Sequence, residues 1–410
     1  MVSDRIIKLN ARDVRFPLEG GAGSDSIHTG AEYAFAVTEL SGEHIRGTGI
    51  ALTLGTGNEL VCDAVRLFGE QLIGSEIEAL MADFGSVLRG LADHPQLRWL
   101  GPHKGVTHLA LASLTNACFD FWAKARGVPL WKLLLDLSTE EVVRLLDLSY
   151  VEDVLDAREA RALVQEEVGS RPARMSLLKD GYPGYDTSIG WFQFDDRKIL
   201  ESARRAREQG FRAVKLKVGS QDEQRDLRRA NLLRDALGPE MLIMLDVNQQ
   251  WTVAKAIEMG KSLAAMSPYW IEEPTHPDDI FGHQRIAEAI SPVKIALGEH
   301  VPNRVLFKGF MQARALSFVQ ADCTRLAGVS EFLTVSLMAR KFALPVIPHV
   351  GDMGQIHQHL VLFNHIALGQ EKIFLEHIPH LANRFVAPAK VRQGVYLTPE
   401  EPGSSCDLRD

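Results

Sequence analysis

The hexamer AVKLKV, residues 213–218, decides how this chain is read. It sets Lys215 and Lys217 one residue apart in an otherwise apolar run. A strand here turns both ammonium groups to one face and Val214, Leu216 and Val218 to the other. On an edge strand such lysines would simply face solvent. The sequence downstream and upstream removes that reading. From about residue 185, short apolar runs (YDTSIGW, RAVKLKV, LIMLDVN, YWIEEP, VKIALGEH, LSFVQAD, LPVIPH and KIFLEH) alternate with helix-like stretches such as DEQRDLRRANLLRDALG and GVSEFLTVSLMARKFA. Eight such runs predict a parallel β/α barrel.

The polar ends of these runs recur with a regular spacing. Lys217 to Asp246 is 29 residues, Asp246 to Glu272 is 26, Glu272 to Glu299 is 27, Glu299 to Asp322 is 23, Asp322 to His349 is 27 and His349 to Glu376 is 27. Each step is one strand-helix unit, which puts these residues at one height, the C-terminal strand ends where barrel enzymes assemble their sites. A closed barrel has no solvent edge. Lys215 and Lys217 therefore point inward at the mouth, and the three apolar residues pack outward. Ahead of the barrel, residues 4–16 and 32–54 read as strands joined by PLEGGAGSDSIHTG, and residues 58–136 as helices, an α+β segment.

Composition narrows the function. At 410 residues the chain is too long for one simple core. A formal charge of −8 provides no basic field for nucleic acid or anionic lipid, so a small molecule is the expected partner. Cys62, Cys118, Cys323 and Cys406 lie far apart with no C-x-x-C spacing, which argues against a zinc site or a disulfide framework. The stretch MVSDRIIKLNARDVRFP has no apolar core of signal-peptide length, and no run approaches the roughly 18 apolar residues of a membrane span. A cytoplasmic protein is expected, and a homo-oligomer is the default for a barrel with an exposed ring of helices.

Three carboxylates converging from successive units repel one another and rise in pKa unless a cation sits among them. An all-oxygen set with open positions suits Mg²⁺. Asp246 and Glu299 supply two of these acids. In WIEEP the third is Glu272 or Glu273, which face opposite ways if the strand continues through both. Asn248 shares the face of Asp246 and can add a neutral contact. Across the barrel, Asp322 and His349 end adjacent strands, and a carboxylate on one imidazole nitrogen makes a competent acid or base. Lys217 is the candidate base opposite. Lys215 and a divalent cation would lower its pKa, and Lys215 is also placed to meet a substrate carboxylate. The layout suits removal of a proton α to a carboxylate. Acid-base catalysis contributes about 10²- to 10⁴-fold, so most of the barrier reduction falls to the cation that stabilises the enediolate.

KLK, DVN, IEEP, GEH, Asp322 and PHVG together resemble the mandelate racemase branch of the enolase superfamily. A Lys or His base with a Mg²⁺-stabilised enediolate is the established chemistry of that superfamily. The resemblance implies an α/β fold: a modified (β/α)7β TIM-like barrel over 151–376, with an N-terminal α+β capping domain over 1–150 to which the segment 377–410 returns. Within the branch, DVRFP, RWLGPHKGV, FWAKARGVPLWKLL, GYPGYDTS, WIEEPTHPDDI, NRVLFK and PEEPGSS are most similar to the L-fuconate dehydratases, over about residues 5–403.

That likeness selects Glu272 beside Asp246 and Glu299 for Mg²⁺. It implies that Lys217 takes the C2 proton and that His349, paired with Asp322, protonates the departing 3-hydroxyl. Lys215, Asn248 and Glu376 would contact substrate, while Gly23, Ser24, Asp25 and Tyr33 of the cap would read its distal hydroxyls. A glycine-rich cap loop suits closure that excludes water. Two departures concern specificity. VGDMGQIHQHL after His349 is shorter than the family stretch, and GEH stands where GEQ is common, which sets Asp352, His357 and His300 near the mouth. Racemisation, epimerisation or cycloisomerisation with the same Lys/His pair is the alternative activity, and L-galactonate or D-arabinonate are alternative substrates.

Overall fold

A computed structural model describes residues 4–30 and 32–409; residues 1–3 of the N-terminal stretch quoted above, with residues 31 and 410, lie outside it. Strands β1 (Lys8–Pro17), β2 (Glu32–Ser41) and β3 (Arg46–Thr53) form an antiparallel meander. The 21-residue helix Gly105–Ala125 packs on it, buried along most of its length. The approach is so close that a Cβ at Gly49 would sit 2.0 Å from the Ser113 carbonyl oxygen, which only glycine avoids.

The barrel follows. Strands β4 (Tyr182–Gly190), β5 (Ala213–Lys217), β6 (Leu242–Asp246), β7 (Trp270–Glu272), β8 (Ile295–Leu297) and β9 (Phe318–Val319) are successive parallel neighbours, and β10 (Leu375–His377) pairs parallel with β4. LPVIPH contributes only a single bridge among the described residues, Val346 to Val319. Pro345 and Pro348 flank that bridge, and neither has an N–H to extend a ladder. The crossover helices are Asp196–Glu208, Glu223–Leu237, Val253–Leu263, Ile280–Ile290, Arg304–Gln312, Val329–Lys341 and His357–Leu368. Five of them start on a side-chain cap, from Asp195, Asp222, Thr252, Asp279 and Asn303, each accepting a backbone N–H of the first turn.

Tyr185, Ala213, Met244, Trp270, Ala296, Phe318 and Ile347 fill the barrel interior as a separate apolar cluster, while Val214, Leu216 and Val218 join the outer core. Strand alternation then sends Lys215 and Lys217 inward above that floor, as AVKLKV predicts. After β10 the chain makes a hairpin, β11 (Val391–Arg392) and β12 (Val395–Tyr396), whose second strand pairs antiparallel with β4. Residues further on reach the cap sheet and its long helix: the Ser404 N–H donates to Asp120 (2.6 Å), and Asp407 accepts from the Thr48 hydroxyl (2.6 Å) and the Lys124 ammonium (2.7 Å). Among the described residues no helix is long and apolar enough to cross a membrane.

Candidate active site

Sheet register brings the first three groups together. Lys217 lies opposite Asp246, and Asp246 opposite Glu272, in neighbouring parallel ladders. Their side chains share the inward face at one level, and Lys217 Nζ sits 2.5 Å from Asp246 Oδ2. One layer deeper, Lys215 Nζ is 2.8 Å from Glu272 and 2.7 Å from Glu376, with Asp246 at 3.5 Å. Glu299 is carried past the end of β8 by Gly298, where a Cβ would collide with the Gln320 backbone at 2.5 Å. All six groups are buried.

Asp246, Glu272 and Glu299 each offer a carboxylate oxygen within 4.8 Å of the others. Burial, reinforced by the neighbouring Asp246 charge, pushes the Glu272 carboxyl up to about 8 despite Lys215. The carboxylates thus outweigh the cations around them, and a hard divalent ion would supply the difference. Asn248 Oδ1 is buried, and no hydrogen-bond partner for it is found among the described residues. The donor set fits Mg²⁺.

Backbone geometry separates Glu272 from Glu273. At Glu273 φ is 43°, so the chain leaves the strand, and its carboxylate meets His300 Nδ1 at 3.0 Å and the Gln249 amide. Burial opposes charge on His300, but Glu273 outweighs it and holds the imidazole up at about 10. Glu273, Glu299 and His300 also converge, yet in its imidazolium form His300 offers no lone pair to a metal.

On the other side, His349 Nδ1 is 2.7 Å from Asp322 Oδ2, and His349 Nε2 is 3.5 Å from Glu299 Oε2. Asp322 also accepts from the Thr324 N–H and hydroxyl and from the Gly351 N–H. Burial opposes charge on its carboxyl, but the His357 and His349 imidazoles hold it well below the usual range. Burial likewise opposes charge on His349, but Glu299 and the Asp322 hydrogen bond keep it up at about 9. With no cation on Glu299, His349 is held in its acid form at neutral pH. Lys217 departs from expectation. Burial and Lys215 do pull its pKa down, yet Asp246 outweighs both and the net shift is upward. A cation bound to Asp246 competes for the same charge.

The cap loop rests on the barrel rim through Ser24 and Ser26, among other contacts. The Ser24 carbonyl accepts from the Phe192 N–H (3.0 Å) and its hydroxyl oxygen from the Gln193 N–H (3.1 Å), while the Ser26 hydroxyl donates to the Val247 carbonyl (3.0 Å). Ser24 is thus engaged in docking, next to Gly23 at φ 70°. Asp25 accepts from the N–H groups of Ile27 and His28 and meets the His28 ring at 3.0 Å. Burial works against its charge, but His28 and Lys217 win and lower its pKa. Burial pushes the Tyr33 phenol up, and the charges of Lys217 and Glu376 reach it.

Other residues are new to the site. The Trp270 indole N–H donates to Glu272 (2.9 Å), and the Thr187 hydroxyl donates to Glu376 (2.6 Å). Ser26, Thr187 and Trp270 carry no spacing signal, because each acts through a partner distant in sequence or hidden in an apolar run. Asp352 and His357, expected near the mouth, are instead fully buried behind Asp322: His357 opens a buried helix, and Asp352 lies in the turn that leads into it. His300 does reach the mouth, in a cleft of about 200 Å³ with Lys104, Glu299 and Arg325. A larger cavity of about 530 Å³ borders Asp186, Arg205 and His377, away from the carboxylates.

Residues 198–410 match the family described as enolase C-terminal domain-like. The chain belongs to the enolase superfamily. It is 41% identical to mitochondrial enolase superfamily member 1 of Homo sapiens, over 100% of this chain and 95% of that protein. The crystal structure of the human protein matches with a TM-score of 0.97, at 40% identity, covering 100% of this chain and 95% of that one. Identity to L-galactonate dehydratase of Hypocrea jecorina is 37%, over 98% of this chain and 92% of that protein. The L-talarate/galactarate dehydratase of Salmonella typhimurium LT2, solved with Mg and L-lyxarohydroxamate, has a TM-score of 0.78 and 25% identity, covering 100% of this chain and 92% of that one. Mg²⁺ recurs in solved enolase superfamily neighbours.

Proposed function

We propose that this hydro-lyase of the enolase superfamily dehydrates a six-carbon sugar acid, L-fuconate, to its 2-keto-3-deoxy acid and water. One observation carries the reading. Lys217 abuts Asp246 at one end of the carboxylate trio, and His349 abuts Glu299 at the other. A substrate seated on the trio therefore lies between a base and an acid. Asp246, Glu272 and Glu299 would hold Mg²⁺, which would supply positive charge to the carboxylate end of the substrate.

Lys217 Nζ removes the proton from C2. His349, fixed through Nδ1 by Asp322, gives its Nε2 proton to the 3-hydroxyl, which leaves as water. The resulting enol tautomerises to the keto acid. Lys215 and Glu376 flank the carboxylate end, Asn248 offers its unpaired oxygen, and Gly23, Ser24, Asp25 and Tyr33 line the cap side.

The likeness to an L-galactonate dehydratase favours a second substrate. L-Fuconate is L-galactonate without the 6-hydroxyl, so the two test one contact. Purified protein with Mg²⁺ is assayed for keto-acid formation from each acid, and chelation should abolish turnover until Mg²⁺ is restored. Higher kcat/KM for L-fuconate supports the first reading, and higher kcat/KM for L-galactonate replaces it. Solvent deuterium entering at C2 without keto acid sinks dehydration in favour of racemisation or epimerisation.

A further inference from the structure

Asp322 does not end at His349. Its other oxygen, Oδ1, lies 3.1 Å from Nε2 of a second histidine, His357. The opposite nitrogen of that ring, Nδ1, is 2.8 Å from Asp352 Oδ1. Asp352 is in turn fixed by backbone: the Gly354 N–H donates to Oδ1 (3.2 Å) and the Ile356 N–H to Oδ2 (2.6 Å). The Cys323 N–H also faces His357 Nε2 at 3.1 Å, and Phe332 stands edge-on to the ring at 6.2 Å between centroids. His357, Asp352 and Asp322 are fully buried.

Two carboxylates and an imidazole are costly to bury unless their geometry is used. None of these contacts is needed to close the barrel, since the bridge from this run is made by Val346. What the contacts do is remove freedom from Asp322. One carboxylate oxygen is held against Thr324 and His357, so the other can only face Gly351 and His349. The ring plane of His349 is then set from behind. Lys217 forms its ion pair with Asp246, outside this chain of contacts.

We infer that His357, anchored by Asp352, is a positioning residue that fixes Asp322 and through it His349, and that it serves the loss of the 3-hydroxyl but not the removal of the C2 proton. This rests on the dehydratase reading above, with His349 as the acid and Lys217 as the base. Outer partners of a functional histidine typically contribute about 10- to 100-fold when removed.

The test measures two rates on the same Mg²⁺-loaded protein in deuterated water: keto-acid formation, and deuterium incorporation at C2 of recovered substrate. Expected for Asp352→Asn and His357→Phe is a fall of about 10- to 100-fold in keto acid with C2 exchange preserved. His357→Gln, which retains a side-chain donor, should recover part of the loss. Should His357→Phe fail to fold, Asp352→Asn, of nearly the same size, decides the outcome. Parallel loss of both rates reveals a merely structural role and overturns the inference, as does unchanged keto-acid formation. No keto acid from unsubstituted protein overturns the parent reading, and this one with it.

Discussion

Among the crossover helices, Arg304 donates to Asp147 (2.5 Å), Glu331 (2.7 Å) and the Ser149 carbonyl (3.0 Å). In the barrel mouth, Lys215 and Lys217 face Asp246, Glu272, Glu299 and Glu376. Both clusters are buried. At Arg304 the charges balance once the half-exposed Arg89 is counted: it also reaches Asp147, at 3.2 Å, so two guanidinium groups meet two carboxylates. In the mouth, four carboxylates outnumber two lysines, and the lysines are flexible point charges. A balanced buried cluster has no use for a further ion. An acid-rich one is built to receive a cation and to let a lysine change protonation state.

Removing one cation from each cluster should therefore have opposite consequences. Lys217→Ala is expected to lower turnover by about 10²- to 10⁴-fold, the contribution of a positioned base, with Mg²⁺-loaded protein melting close to the parent because the ion can take up Asp246. Arg304→Met should leave chemistry intact in whatever folds but cost about 3–5 kcal/mol of stability, read by urea denaturation, because two carboxylates remain buried without their fork. An active, unstable Lys217→Ala protein would break the contrast.

pH sharpens it. Glu272 stands at about 8 in the folded chain against 4.5 for an ordinary glutamate, so its contribution is full below about 4.5 and is lost as pH rises through 8. His349 has the same sign: about 9 against 6.5, full below 6.5 and lost as pH rises through 9. Chelated protein should melt at a lower temperature at about pH 9.5 than at about pH 6.5, and Mg²⁺ should shrink the difference. A flat calorimetric profile in chelator would mean that the mouth is already neutralised. The smallest effect is expected at the cap. Ser26→Ala removes one hydrogen bond worth about 1 kcal/mol, so kcat/KM should fall only about fivefold.

The mouth was legible because barrel strands deliver one inward polar end per unit, so spacing alone located Lys217, Asp246, Glu299, Asp322 and His349. Between Glu272 and Glu273 the pattern was silent, since the choice depends on a backbone that leaves the strand at φ 43°. The Arg304 cluster had no sequence signal: Asp147 lies 157 residues from Arg304, and no periodicity links an irregular stretch to a helix start. His357 was misplaced for a related reason, because position in a loop after a strand does not reveal which way the next helix dives. The cap loop read correctly as polar and glycine-rich, but that both Ser24 and Ser26 dock on the barrel rim is set by Gln193 and Val247, residues far along the chain.

The tail that returns to the cap bears on how the protein is made. Asp120 and Thr48 sit in the first third of the chain, yet their partners, Ser404 and Asp407, leave the ribosome after the whole barrel. The loop after His349 waits likewise: the Gln355 amide donates to the Ser405 carbonyl at 2.6 Å. Although N-terminal units usually fold first during synthesis, here the cap's buried Asp120 stays without the Ser404 N–H and hydroxyl donors until translation has passed residue 404. Nascent chains halted before that point should carry a formed barrel sheet beneath a cap still open to protease.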